Sequence, residues 1–176
     1  MGIFYKNLDQ RTRDFMLKEL ELDISSKKLY ISPRLNSIGR AKWVELLKEA
    51  IQKNNDDWLA NQLRVKGYMK SYETRRTSKG IIEVRVPSSA PETLAEGEFN
   101  RFYARGLCLR AISEGISEVV VYRGKQVQRP RPESQLMIGK KINAKALLDD
   151  LRKSQGVEPA LGIPPGPNSG LTICLP

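Results

Sequence analysis

The side chains that could do chemistry in this sequence are carboxylates, lysines, arginines and tyrosines, because the chain contains no histidine. Histidine is the commonest general base and a common zinc ligand. Its absence excludes Ser-His and Cys-His nucleophile pairs, the HExxH zinc site and Cys/His zinc fingers. The sequence also lacks a G-x-x-x-x-G-K-[ST] phosphate loop and a G-x-G-x-x-G fingerprint after a strand. We therefore expect no cofactor, no metal and no catalytic residue, and we favour a protein that is not an enzyme.

Carboxylates leave one enzyme class open, a metal-dependent nuclease. Such an enzyme needs acids that converge from a strand beside a lysine, so that a bound metal can activate water. Glu83 lies on a predicted strand, but Arg85 stands where a lysine is wanted. Glu98 and the pair Asp149-Asp150 lie on predicted helices. The nuclease is the third of three functional hypotheses.

Lysine and arginine are more informative, because 30 of them against 20 acids give the chain a net charge of +10. Such a charge favours nucleic acid or an acidic protein surface as partner. The densest basic region with aromatic residues is 66–87, where alternating side chains on both sides of a Thr-Ser-Lys-Gly turn predict a β-hairpin. A basic ribbon can follow a phosphate backbone, whereas the alternative is the solvated face of an ordinary hairpin. The predicted contacts on this hairpin are Lys70, Arg75, Arg76, Lys79 and Arg85.

Two other segments carry arginines that could bind an anion. Arg101 and Arg105 lie in a long predicted helix, where they form either an anion site or, as we favour, an ion-pair set around Glu98. Arg129 and Arg131 alternate with prolines in 126–132, which predicts an extended, non-helical course that holds the arginines outward. The alternative for this second segment is an ordinary linker.

The elements that must position these residues follow from hydrophobic periodicity. Apolar stripes predict helices over 8–24, over 144–153, and over 37–65 as a helical hairpin. That hairpin could imitate a helix-turn-helix, but its turn is acidic and its second helix has few residues suited to base edges. The S-x-x-E spacing from Ser89 to Glu92 predicts a capping box for a long helix over 90–114, and the three valines after Glu118 predict a buried strand. Gly97 and Gly106 inside the long helix imply close packing or a break at each.

The fold class that these elements predict is α+β, with amphipathic helices packed on a small, mainly antiparallel sheet. We expect residues 1–156 to form a single domain and residues 157–176 an extended, apolar, Pro/Gly-rich C-terminal arm. The arm lies either on its own domain or across a neighbour, as in a homo-oligomer. Its predicted partner-binding residues are Leu161, Ile163, Leu171 and Ile173.

No apolar run approaches the length of a membrane span, and the two cysteines lie far apart in the sequence. We therefore expect no membrane contact and a cytoplasmic protein, or a virion protein if a phage encodes it. The leading functional hypothesis is a non-enzymatic assembly protein of a phage-type or other nucleoprotein particle, which docks through its basic surface and C-terminal arm. The alternative is a DNA- or RNA-binding module that uses the hairpin over 68–86.

Overall fold

The structure is a computed structural model that describes residues 2–154, 162 and 169–176. It is an α+β protein, which confirms the predicted class. The described residues form six helices and five strands, in the order α1 (Gln10–Ser25), α2 (Ser37–Lys53), α3 (Asp56–Val65), β1 (Tyr72–Thr77), β2 (Gly80–Arg85), α4 (Ala90–Ser113), β3 (Glu118–Arg123), α5 (Pro132–Met137), β4 (Lys141–Asn143), α6 (Ala144–Lys153) and β5 (Leu171–Cys174).

Helix α4 is the centre of the molecule, because α1, α3, α6 and β5 all pack against it. An isolated amphipathic helix buries one stripe, but a helix covered on all sides buries most of its residues. The apolar part of α4 that lies in the core includes Phe99, Phe102, Tyr103, Leu107 and Cys108. The same helix also buries charged side chains, so its neighbours must supply partners of opposite charge.

The two glycines inside α4 have different surroundings. A Cβ atom on Gly106 would lie 2.6 Å from Cγ of Met16 and 2.7 Å from its backbone nitrogen. This glycine therefore lets α1 and α4 approach closely, as the sequence predicted. A Cβ atom on Gly97 would have no described neighbour within 4 Å. The helix also continues through Gly97, so the expectation of close packing or a break is wrong there.

The strands form two separate antiparallel sheets. β1 and β2 make the predicted hairpin, and β4, β3 and β5 make a three-stranded sheet with β3 in the middle. In that second sheet Val121 is opposite Ile173, and Arg123 is opposite Leu171. The C-terminal segment therefore completes the sheet of its own chain.

Polar side chains cap the starts of α1, α2, α3 and α6, whereas α4 and α5 have no side-chain cap. Asp9 and Asn143 cap α1 and α6, because their side chains accept the backbone N–H of Thr12 and Ala146. The predicted capping box of α4 does not form, since the Ser89 side chain makes no capping hydrogen bond. A capping serine needs extended backbone, and Ser89 has φ −85° and ψ 2°.

Candidate nucleic-acid interface

The β1–β2 hairpin turns through two residues, Ser78 and Lys79, with Thr77 opposite Gly80. Gly80 has φ +123°, a conformation that glycine adopts readily and that side chains with a Cβ disfavour. Thr77 closes the turn by donating its hydroxyl to the Gly80 carbonyl at 2.9 Å. The turn therefore fixes the register of every side chain along the two arms.

Because side chains alternate along a strand, the register divides the hairpin into two faces. One face, which we call the outer face, contains Tyr72, Thr74, Arg76, Ile81, Glu83 and Arg85, and all six residues are exposed. The opposite face contains the half-buried Glu73, Thr77 and Val84 together with Arg75 and Ile82. The outer face is thus the one that a large ligand can reach along its full length.

The outer face combines charge with flat and apolar surface. The Arg85 guanidinium lies 5.8 Å from the centre of the Tyr72 ring, within the range of a cation–π contact. Beside Arg76 near the tip, Ile81 is 75% exposed. Glu83 is the single acid on this face. These side chains suit a ligand that offers both phosphates and apolar or aromatic surface.

The cations of this hairpin differ from most arginines elsewhere in the protein. Arg34, Arg64, Arg105, Arg110 and Arg152 each form an ion pair with a carboxylate. Within the described chain, no ion pair engages any of the five predicted hairpin contacts, which are Lys70, Arg75, Arg76, Lys79 and Arg85. All five are exposed. Their charge is available to an anionic partner.

The base of the hairpin is anchored to the segment that precedes α2. Arg34 donates two hydrogen bonds to the Glu73 carboxylate, at 2.7 and 2.9 Å. The hydrogen bond from Arg34 lowers the pKa of Glu73. A backbone bond from the Lys70 N–H to the Arg34 carbonyl continues the attachment. The ribbon therefore projects from a fixed base, and the two hydrogen bonds to the Glu73 carboxylate come from Arg34 and not from a cation of the hairpin.

Arg105 is not at the surface, which corrects its assignment as an anion contact. Its side chain has no exposed area and donates to Glu19 at 2.8 Å and to Asp23 at 2.7 and 2.8 Å, both on α1. Arg152 also donates to Glu19, at 2.5 and 3.1 Å. Burial alone raises the pKa of Glu19, but the hydrogen bonds and charges of Arg152 and Arg105 outweigh it and hold that pKa below its usual value.

Arg101 is buried as well, with its side chain 10% exposed. It donates to the Ser154 carbonyl at 2.8 Å, and its Nε lies 3.7 Å from Oε1 of Glu98. The ion-pair interpretation that we favoured for this helix therefore applies, although the partners of Arg105 come from α1 instead of from Glu98. Neither arginine can contact a nucleic acid in this fold.

Arg129 and Arg131 remain exposed and line a groove of about 460 Å³ beside the three-stranded sheet. Residues 126–131 are not helical, as predicted, but α5 begins at Pro132, which the sequence analysis placed in the extended segment. Proline fits the first turn of a helix because its missing N–H would have no partner there. The groove itself had no sequence signal, because Ser169, which completes it, is far in the sequence from residues 125–134.

The predicted partner-binding arm divides into two parts. Leu171 and Ile173 have no exposed area and pack in the core of their own chain, so their assignment to a partner is corrected. Asn100 donates its amide to the Leu171 carbonyl at 2.9 Å and accepts the Thr172 hydroxyl at 2.7 Å. Leu161 and Ile163 lie outside the residues that the structure describes.

The carboxylates considered for a nuclease do not converge. Glu83 is exposed on the hairpin, whereas Glu98 is buried in α4. Among the described residues, no group of three or more His, Cys, Asp or Glu side chains is placed to hold a metal ion. Burial raises the pKa of Cys108, which makes its thiol a poor nucleophile.

Searches of known protein families, curated proteins and solved structures find no match to this chain. None of the helices in the described ranges combines the length and the apolar character that a membrane crossing requires.

Proposed function

We propose that this chain is a non-enzymatic, nucleic-acid-binding component of a nucleoprotein assembly, and that it docks through the β1–β2 hairpin. The observation that carries the proposal is the set of exposed, unpaired cations on a ribbon with a fully exposed outer face. The apolar arm, which supported an assembly role in the sequence analysis, contributes less, because Leu171 and Ile173 pack in their own core.

The hairpin suits nucleic acid better than an acidic protein surface. The range 66–86 holds six lysines and arginines against two glutamates, and one of those glutamates is engaged by Arg34. A two-stranded ribbon is narrow enough to enter the major groove of a duplex, and arginines on both strands can then contact both walls. Tyr72 and Ile81 add an aromatic ring and an apolar side chain that can lie on bases.

The first test is the salt dependence of binding, measured by fluorescence anisotropy with labelled duplex and single-stranded oligonucleotides. Log affinity should fall linearly with log salt, with a slope of about −0.9 for each duplex phosphate that is neutralised. The variant R76Q/R85Q removes two outer-face cations, so the magnitude of the slope should decrease by about 2. An unlabelled acidic peptide of equal charge, used as a competitor, distinguishes nucleic acid from a general attraction to anions.

The matched control is K18Q/K153Q, which removes two exposed cations from α1 and α6 and leaves the hairpin intact. It should retain the wild-type slope and affinity within about twofold. Absence of binding at about 50 mM salt, or equal effects of the two double variants, would disprove the hairpin as the interface.

A single substitution should strengthen nucleic-acid binding, whereas R76Q/R85Q should weaken it. Glu83 is the only acid on the outer face, so E83Q should tighten binding several-fold by removing repulsion from the phosphates. The same variant separates this proposal from the nuclease hypothesis, in which Glu83 holds a metal and its loss abolishes cleavage. Weaker binding by E83Q would contradict the proposed orientation of the hairpin.

A further inference from the structure

The groove that Arg129 and Arg131 line is separate from the β1–β2 hairpin and is formed by other residues. Its wall is the run of residues 125–131 between β3 and α5, and Ser134 and Ser169 complete it. Two backbone bonds hold the start of this run, from Phe4 N–H to the Gly124 carbonyl at 2.9 Å and from Gly124 N–H to the Gly170 carbonyl at 2.8 Å. The groove is therefore built where the N-terminal segment and the C-terminal strand meet.

Gly170 is required at this junction for two reasons. Its φ is +67°, and a Cβ atom there would lie 2.4 Å from the Lys125 carbonyl oxygen. A Cβ atom on Gly124 would likewise lie 2.7 Å from the carbonyl oxygen of Phe4. These close approaches fix the path of residues 124 and 125, and so position the rest of the wall.

The groove is rich in hydrogen-bond donors and positive charge. Arg129 and Arg131 are exposed, and neither has an ion pair with any part of the chain that the structure describes. Lys125 also lines the groove, but its amine is engaged by Glu96 at 2.5 Å. The charge available to a ligand is therefore that of the two arginines.

A third arginine, Arg123, contacts one of the groove residues. Arg123 donates from Nη2 to the Ser134 hydroxyl at 3.3 Å, and Ser134 is 8% exposed. The Nε atom of Arg123 is buried and has no hydrogen-bond partner among the described residues. Arg123 therefore adds positive charge beside Ser134, which lines the groove.

We infer that this groove binds a terminal phosphate group together with the adjoining organic part of the molecule that carries it. Arginine forks bind phosphate oxygens in a bidentate manner, and serine hydroxyls such as those of Ser134 and Ser169 donate to the same oxygens. Val127 and Pro130 supply apolar surface for the organic part of the ligand. The volume of about 460 Å³ is within the usual range for small-molecule sites.

A phosphate of this kind can come from a free mononucleotide or from the phosphorylated end of a nucleic acid strand. Isothermal titration calorimetry of the full chain distinguishes the sources with four probes: inorganic phosphate, AMP, and a short oligonucleotide with or without a 5′-phosphate. Tighter binding of AMP than of inorganic phosphate identifies a free ligand. Preference for the 5′-phosphorylated oligonucleotide over the unphosphorylated one identifies a strand end.

The variant R129Q/R131Q should weaken binding of the preferred probe at least about tenfold, whereas K18Q/K153Q, with the same change in charge, should not. Amide chemical shifts on addition of the probe should change in residues 124–134 and 169–171. The hairpin variant R76Q/R85Q should bind AMP as the wild type does. The two proposals can therefore fail separately: loss of the hairpin interface would not affect the phosphate groove, and loss of the phosphate groove would not affect the hairpin interface. The inference is overturned if no phosphate probe binds at millimolar concentration, if R129Q/R131Q binds as the wild type does, or if the shift changes lie elsewhere.

Discussion

Arg105 shows how much the environment of a residue decides its role. Its guanidinium lies between two acids of α1 and has no exposed area, so its charge organises the core and is unavailable to a ligand. A buried ion pair contributes little net stability compared with apolar packing, but removal of one partner leaves buried charge that is less well compensated.

We therefore expect R105A to lower the free energy of unfolding by about 3–5 kcal/mol, because Glu19 and Asp23 would lose their shared partner. The measurement is urea denaturation at pH 7. The matched control is R11A, since Arg11 also pairs with an acid, at 3.0 Å from Glu114, but its side chain is 61% exposed. R11A should cost less than about 1 kcal/mol. Equal losses of unfolding free energy in R105A and R11A would show that the buried Arg105 contributes no more to stability than the exposed Arg11.

Glu98 should make stability depend on pH. Burial raises the pKa of Glu98 from 4.5 to about 7. Between these values the folded protein binds more protons than the unfolded chain, so stability falls as pH rises from about 4.5 to about 7. The effect is at most roughly 3 kcal/mol, and E98Q should remove it because glutamine does not ionise.

Urea midpoints at pH 5 and pH 8 measure this difference. Asp56, whose pKa burial raises to about 6, contributes in the same direction, so E98Q should retain part of the fall. The exposed Glu21 supplies the control E21Q, which should behave like the wild type. If E98Q loses as much stability between pH 5 and pH 8 as the wild type does, the raised pKa is wrong.

At the scale of elements, α4 determines which packing is possible. Gly106 admits Met16 of α1, whereas Gly97 has no described side chain or backbone near its missing Cβ. The same substitution at the two positions should therefore have opposite effects.

We expect G97A to raise the free energy of unfolding by about 1 kcal/mol, because alanine has the higher helix propensity. G106A should lower it by about 1–3 kcal/mol, because the added methyl would force α1 away from α4. Thermal unfolding followed by circular dichroism gives both values, and each variant is the control for the other. If G97A and G106A changed the free energy of unfolding in the same direction, the different packing around the two glycines would not be the cause of the effect.

At the scale of the whole molecule, the elements with strong periodicity were predictable from the sequence. The stripe of α2 and the alternation around the hairpin turn depend on local spacing, and the structure reproduces both. The short strand β4 has three residues, too few for a pattern to emerge.

The surroundings of the charged residues were not predictable, because they depend on distant parts of the chain. The acids that engage Arg105 precede it by 86 and 82 residues. The groove joins Ser134 to Ser169 and residues 125–131, and no periodicity links these segments. The exposed hairpin cations could be anticipated, since their arms are adjacent in sequence.

The C-terminal strand has a consequence for how the protein is made. β5 covers β3, which is synthesised about 50 residues earlier, and the Leu175 amide donates to Asn7 at 3.0 Å, across 168 residues of sequence. During translation, α1 to α4 can collapse early, but one edge of β3 stays unpaired until residues 171–174 are available. The chain therefore presents an unpaired strand edge between the synthesis of β3 and the arrival of β5, which is the period when chaperones would have most effect on its yield.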